Sequence, residues 1–127
     1  MSAPKRIRLS RAKGWRLPDN TVNVARPGPH GNPFVVGRDG TRAECVHLFA
    51  ALASGLLCLT CKAEVEPQRR ILALIDAGLD DLRGHDVACW CALDGGPCHG
   101  AVWLALANEP RRPGMLDRFM IRPVVAV

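Results

Sequence analysis

The chain has 127 residues, of which 48% are hydrophobic, and a formal net charge of +5. A chain of this length folds as one domain by default and is long enough to bury a core. No apolar run approaches the roughly 20 residues that a membrane helix needs, and no apolar segment follows the charged N-terminus as it would in a secretory signal. We therefore expect a cytoplasmic protein without membrane association, whose six cysteines serve metal binding, catalysis or burial rather than a disulfide framework.

The positive charge is concentrated in the N-terminal third. Residues 1–43 carry nine lysines and arginines against two acids, whereas the remaining residues carry eight against ten. This asymmetry indicates an anionic partner for the N-terminal part, and a nucleotide or a nucleic acid is the expected one. The alternative is a basic segment that is merely solvated.

The first third of the chain is predicted to form short strands and the start of a helix. Arginines alternate with apolar residues over positions 6–9, and residues 21–25 alternate again, which indicates two strands. A loop rich in proline and glycine then leads into a third short strand at residues 34–36. Thr41 and Glu44 have the spacing of a capping box, which predicts that a helix begins there.

The remainder predicts two further helices and a strand. An apolar helical face recurs over residues 65–77, and Gly78 is placed to end that helix. Residues 86–91 are short, mostly apolar and bounded by turn formers, as in a buried strand. Helical spacing returns between Cys98 and Asn108.

This order of elements predicts one small α/β or α+β domain over residues 1–110, with a short mixed sheet and about three helices. Residues 111–127 are predicted to form a C-terminal extension that includes an edge strand, because the edge of a sheet tolerates a proline such as Pro123. In open α/β sheets, ligands bind outside the carboxyl ends of strands, so the loop after residue 91 is the predicted place for a site.

The densest group of metal-ligating residues follows that strand. Cys89 and Cys91 lie two residues apart, so a strand would direct both thiols to one face and Trp90 to the core. Cys98 and His99 follow at the start of the next helix. Zinc prefers four cysteine or histidine ligands presented in close pairs, so these four residues are the predicted zinc ligands.

A second pair, Cys58 and Cys61, has the spacing of half a zinc site and is an alternative source of ligands. The competing interpretation for all of these cysteines is that they are small buried apolar side chains.

Cys98 is also a candidate nucleophile. A thiol at a helix N-terminus has a reason for a lowered pKa, and His99 or His30 is the candidate base. That arrangement would fit a cysteine-dependent transferase or hydrolase that uses Cys98 and His99 as catalytic residues. The sequence leaves open whether the protein is an enzyme.

Anion recognition is the third predicted property. Arginines flank the loop that ends in a Gly-Asn-Pro-Phe segment, and the amide of the asparagine can recognise an amide or a base edge. The predicted nucleotide- or anion-binding residues are Arg8, Arg11, Arg26, Asn32 and Arg38.

Five short motifs follow one another along the chain: Gly14-Trp15, Arg26-Pro27, Gly31-Asn32-Pro33-Phe34, Cys89-Trp90-Cys91 and Pro97-Cys98-His99. Together they resemble the domain of unknown function family 4326, small proteins of phage and bacterial genomes, over roughly residues 6–108. His30 and the Cys58 and Cys61 pair depart from the family pattern. The resemblance implies a phage or mobile-element setting, and hence the host cytoplasm if a phage encodes the protein. It also leaves open a non-enzymatic protein that targets a host factor.

Overall fold

The computed structural model describes residues 3–121, which form three strands, three α-helices and one short 3-10 helix. Within these residues, no helix combines the length and the apolar content that crossing a bilayer requires. The three helices and the sheet confirm the prediction of one small α/β domain, although the sheet of these residues is parallel and not mixed as predicted. In chain order the elements are β1 (Arg6–Arg8), β2 (Thr21–Asn23), α1 (Arg42–Ala53), α2 (Val65–Asp76), β3 (Asp86–Cys89), α3 (His99–Asn108) and a 3-10 helix (Asp117–Phe119).

The sheet is built around its last strand. β3 lies between β1 and β2 and pairs with both in parallel. Val87 and Cys89 pack into the main core, whereas Ala88 packs into a smaller cluster with Leu9 and Ala25, so both faces of β3 are covered. Because all three strands are parallel, their carboxyl ends meet at one edge, and the loops that follow them come together there.

The predicted strand at residues 34–36 does not form, and only an isolated bridge remains in this segment. The Phe34 amide donates to Asn32 Oδ1 at 2.9 Å, and the Val35 amide donates to Asp39 Oδ2 at 2.8 Å. Side chains therefore occupy the backbone donors that a strand ladder would need. The prediction of three successive N-terminal strands is wrong for this reason, and Phe34 is buried in the core instead.

The helices α1 and α3 begin at side-chain caps. The Thr41 hydroxyl accepts a hydrogen bond from the Glu44 amide, and the Glu44 carboxylate accepts one from the Thr41 amide, which confirms the predicted capping box. Cys98 caps α3, because its sulfur accepts a hydrogen bond from the Gly100 amide at 3.3 Å. The Cys98 thiol thus caps the first turn of α3, and the same hydrogen bond holds the thiol in position.

The main core lies between the sheet and the helices. Trp103 of α3 and Phe49 of α1 are fully buried, with their rings edge to face and their centroids 5.4 Å apart. Met115 and Leu116, in the predicted extension, are buried in this same core. The part of the predicted edge strand at residues 122–127 lies outside the described residues.

Candidate metal centre

Three cysteine thiols meet where β3 ends and α3 begins. Cys89 is the last residue of β3, Cys91 follows in the loop, and Cys98 caps α3. Their sulfur atoms all lie within 4.8 Å of one another, and the sulfurs of Cys89 and Cys98 are 3.1 Å apart. Cys89 and Cys98 are buried, and Cys91 is half-buried. The structure thus brings together three of the four predicted metal ligands, and we call these three the thiol cluster.

The spacing of the thiol cluster suits a tetrahedral metal ion. Zinc bound to thiolates at about 2.3 Å would hold the sulfurs about 3.8 Å apart. The sulfurs of Cys89 and Cys98 are 3.1 Å apart, and no two sulfurs of the cluster are more than 4.8 Å apart, so the observed distances lie on both sides of that value. Three sulfur ligands leave the fourth tetrahedral position to another donor, such as water or a bound molecule. The thiol cluster can therefore hold a metal ion that prefers sulfur.

Arg6 ties β1 to the cysteine loop. Its guanidinium donates to the carbonyl oxygens of Cys91 at 2.7 Å and Ala92 at 2.6 Å, and to the sulfur of Cys89 at 3.3 Å. Gly100 leaves room for it, because a Cβ at this position would lie 3.2 Å from Arg6 Cδ. Arg6 therefore fixes the loop and places a permanent positive charge beside the thiols. Nothing in the sequence around Arg6 predicts this role.

The three thiols differ in acidity. Hydrogen bonds from the Cys91 and Cys98 thiols, and from the Arg6 guanidinium, lower the pKa of Cys89 far below its ordinary value. Hydrogen bonds to the sulfurs of Cys89 and Cys91 raise the pKa of Cys98, and burial acts in the same direction. Cys98, the candidate nucleophile, is buried and has a raised pKa in spite of its position at a helix start.

His99 follows Cys98 but belongs to a different set of contacts. Its Nε2 lies 2.8 Å from the carbonyl oxygen of Val24. A carbonyl only accepts hydrogen bonds, so Nε2 carries the hydrogen and Nδ1 keeps a lone pair. Burial lowers the pKa of His99, which favours the neutral ring. Among the ligand atoms of residues 3–121, those that converge are the three thiols, and His99 is outside the group.

A cavity of about 170 Å³ opens beside the thiol cluster. Cys89 and Cys91 line it, so two of the three cysteines of the thiol cluster border a space that a small molecule can enter. The cavity therefore combines candidate metal ligands with positive charge, an amide and aromatic rings. The other residues that give it this character are Arg26, Asn32, Phe34, Arg42, Trp90 and His99.

Two of the five predicted anion-binding residues, Arg26 and Asn32, line this cavity. Arg26 donates to the carbonyl oxygens of Asn32 at 3.2 Å and Phe34 at 3.4 Å through one of its nitrogens, which leaves its other donors for a ligand. Arg38 lies apart from the cavity lining and pairs at 2.8 Å with the carboxylate of Asp39, whose side chain is buried. That pairing neutralises the Arg38 charge.

The other two predicted residues, Arg8 and Arg11, are exposed at and beyond the carboxyl end of β1. The Arg11 guanidinium lies over the Trp90 ring, 4.7 Å from its centroid. The prediction that Trp90 points into the core is wrong: the side chain is on the surface, with 44% of the residue exposed. The prediction assumed that side chains alternate between the two faces of a strand as far as residue 91. β3 ends at Cys89, so Trp90 lies outside the strand and its side chain does not follow that alternation.

The alternative metal pair lies in the loop between α1 and α2. Cys58 and Cys61 approach each other, and the Cys61 thiol donates to the Cys58 carbonyl oxygen at 3.5 Å. Gln68 is fully buried and bonds to both the amide and the carbonyl of Cys58, which holds this loop against α2. Within residues 3–121, no third ligand atom joins the two thiols to form a group.

The fold and the site define a small parallel α/β domain with a thiol cluster at the carboxyl edge of its sheet. The family model described as Domain of unknown function (DUF4326) matches residues 7–109, which include all three cysteines of the cluster. The chain belongs to this family, and the resemblance seen in the motifs is confirmed. Searches of the curated proteins and of the solved structures returned no significant match.

Proposed function

We propose that this protein is a zinc-binding domain that binds a nucleotide or a single-stranded nucleic acid beside its metal centre. The observation that carries the proposal is the convergence of the sulfurs of Cys89, Cys91 and Cys98 within 4.8 Å. The thiol cluster lies at the carboxyl edge of a parallel sheet, which is where open α/β sheets bind their ligands.

The surroundings of the thiol cluster support zinc. Three thiolates and one Zn²⁺ carry a net charge of −1, and Arg6, which donates to the Cys89 sulfur, balances it. The Gly100 amide donates to the Cys98 sulfur and also favours the thiolate form. Such outer contacts orient the ligands and tune the affinity for the metal. When bound, zinc would supply an electrophilic centre whose fourth position takes water or a ligand atom.

The surface beside the thiol cluster supports an anionic, base-containing partner. Arg8 and Arg11 are exposed, and Trp90 presents an indole ring with a guanidinium over one face. Positive charge together with exposed aromatic rings is the usual composition of a surface that binds single strands. The excess of lysine and arginine within residues 1–43 provides long-range attraction for the same partner.

The first experiment measures metal and thiols on one sample, prepared without an affinity tag that binds metal. We expect about one zinc per chain by elemental analysis. Four of the six thiols should resist a thiol reagent until the protein is denatured, namely the three of the thiol cluster and the buried Cys45. A protein that carries no metal and in which zinc protects no thiol would contradict the proposal.

Replacement of Arg6 by methionine is expected to weaken zinc binding while the fold is retained. Methionine keeps much of the length of the side chain but removes the donors to Cys89, Cys91 and Ala92. Loss of such an outer contact costs about 10- to 100-fold in metal affinity. Competition with a chromophoric chelator measures the change, and Arg8→Met, on an exposed arginine two residues along β1, is the control. Equal affinities in both variants would remove Arg6 from the site.

Replacement of Trp90 by alanine is expected to weaken binding of a labelled single-stranded oligonucleotide about fivefold or more, because stacking on one aromatic ring contributes roughly 1–3 kcal/mol. Fluorescence anisotropy titrations at several salt concentrations measure the affinity. The control is Leu93→Ala, which removes another exposed apolar side chain of the same loop. An unchanged affinity in the Trp90 variant would show that this surface does not bind the strand.

A further inference from the structure

The cavity beside the thiol cluster is smaller than a typical drug-binding pocket. Its volume is about 170 Å³, whereas pockets for drug-sized ligands begin at about 300 Å³. It therefore has room for one planar ring system rather than for a whole nucleotide. The rest of a larger ligand, including any sugar and phosphate, would lie at the mouth, where the arginines are.

Asn32 provides a fixed amide in the cavity lining. Its Oδ1 accepts from the Phe34 amide at 2.9 Å, and its Nδ2 donates to the Cys45 carbonyl oxygen at 3.2 Å. These two bonds set which atom is oxygen and which is nitrogen, and they hold the group still. An amide oxygen accepts two hydrogen bonds and an amide nitrogen donates two, so Asn32 keeps one acceptor and one donor. Adjacent acceptor and donor positions match the edge of a nucleobase.

His99 adds a second buried polar group to the same lining. The residue is 8% exposed, and its Nε2–H is committed to the Val24 carbonyl oxygen. For Nδ1, the described part of the chain shows no hydrogen-bond partner. Its lone pair is therefore an acceptor for an N–H group of a ligand. Nδ1 is not enclosed, because the fully buried side-chain nitrogen that lacks a partner in residues 3–121 is His30 Nε2, so the Nδ1 lone pair is within reach of a ligand donor.

The remaining walls are aromatic and apolar. Phe34 is 1% exposed and Trp90 borders the cavity at the surface. A flat ring that enters here can contact aromatic surfaces and at the same time reach the Asn32 amide and His99 Nδ1. Arg26, which has no acidic partner among residues 3–121, lies in the lining and can meet a phosphate outside.

The geometry points to a nucleobase site: the cavity takes the base of a nucleotide, which Asn32 recognises through its amide and His99 through Nδ1, next to Cys89 and Cys91. This inference rests on the proposed function and adds to it the part of the ligand that is recognised. The base comes either from a free mononucleotide or from a single strand that turns one base into the cavity. In both cases the base lies beside the metal centre.

The test compares ligands that differ only in the base. Zinc-loaded protein is titrated with a labelled strand about twelve nucleotides long and with the same strand made of abasic sugars, since a small domain covers about 4–16 nucleotides. A mononucleotide and ribose 5-phosphate form the second pair, as competitors. We expect the ligand that carries bases to bind about tenfold more tightly than its abasic partner in at least one pair. The pair that shows the difference identifies the source of the base.

A variant at the cavity mouth separates this site from the exposed face of Trp90. Val36 is 58% exposed and lines the cavity, so Val36→Met narrows the entrance without disturbing the core. We expect it to weaken base-containing ligands at least threefold and to leave the abasic strand unchanged. Val35→Met, the same change one residue earlier and outside the lining, is the control.

Two results would overturn the inference alone, while nucleic-acid binding stands. One is equal affinity for base-containing and abasic ligands. The other is an unchanged affinity of Val36→Met for ligands that carry bases, which would assign base contacts to the outer surface. Absence of binding by every strand and every nucleotide would overturn the proposed function, and the nucleobase site with it.

Discussion

The Cys91→Ser variant is expected to lose its zinc on dialysis, whereas the unchanged protein retains about one ion per chain. Zinc sites in small domains contribute about 10–16 kcal/mol, so one ligand accounts for about 3 kcal/mol, or about a hundredfold in affinity. Cys91 is half-buried, so serine fits there without a cavity and the metal-free fold is preserved. The measurement is zinc content after dialysis, together with the shift in thermal unfolding midpoint when a chelator is added.

Cys58→Ser is the matched control for this prediction. It removes a partly exposed thiol of the alternative pair, which lies outside the thiol cluster, and should leave both zinc content and the chelator shift unchanged. The opposite pattern, with zinc lost from the Cys58 variant and kept by the Cys91 variant, would assign the metal to the α1–α2 loop. Zinc retained by both variants would show that neither residue is a required ligand.

Trp103→Ala is expected to reduce the free energy of unfolding by about 3–5 kcal/mol, the usual cost of removing a large buried aromatic side chain. Trp103 is fully buried, packs edge to face on Phe49 and His30, and donates its Nε1–H to the His30 carbonyl oxygen at 2.9 Å. Domains of this size are stable by about 5–15 kcal/mol, so this loss removes a large part of the total. Urea unfolding followed by circular dichroism measures it.

The same substitution at an exposed tryptophan provides the comparison. Trp90→Ala removes an equal number of atoms from a side chain at the surface and should cost about 1 kcal/mol or less. Trp103→Phe, which keeps a ring but leaves the His30 carbonyl without its donor, should fall between the two, at about 1–3 kcal/mol. Equal losses for the Trp103 and Trp90 alanine variants would contradict the placement of Trp103 at the centre of the core.

The parts of the fold that sequence analysis predicted correctly rest on local rules. A capping box at Thr41 and Glu44 depends on two side chains and the backbone between them, and it is present. The helix that begins after Cys98 and the strand that begins at Asp86 follow from spacing within single segments. The convergence of Cys89 with Cys98 follows in turn, because the end of a strand and the start of the next helix are joined by a short loop.

The parts that sequence analysis missed depend on contacts between distant segments. Arg6 is unremarkable in a basic N-terminal stretch, and only the pairing of β1 with β3 places it against the cysteine loop. The position of Arg42 beside the site could not be predicted either, because its guanidinium donates a hydrogen bond to the carbonyl oxygen of Pro97, 55 residues further along the chain. The wrong prediction of a strand at residues 34–36 has a local cause. The side chains of Asn32 and Asp39 accept hydrogen bonds from the backbone amides of this segment, and these bonds outweigh its apolar pattern.

The order of the strands governs when this protein can fold during its synthesis. The two outer strands are made first, but neither can pair until the middle one has left the ribosome, and the bond from Lys5 to Asp86 joins residues 81 positions apart. Parallel pairing at such a separation makes folding slow. The first of the three cysteines is the last residue of that middle strand and the third lies 9 residues further on, so all three thiols become available just as the sheet is able to close. A nascent chain that ends before residue 86 has no middle strand and no thiol cluster, so the proposed metal binding would belong to the same late stage as folding.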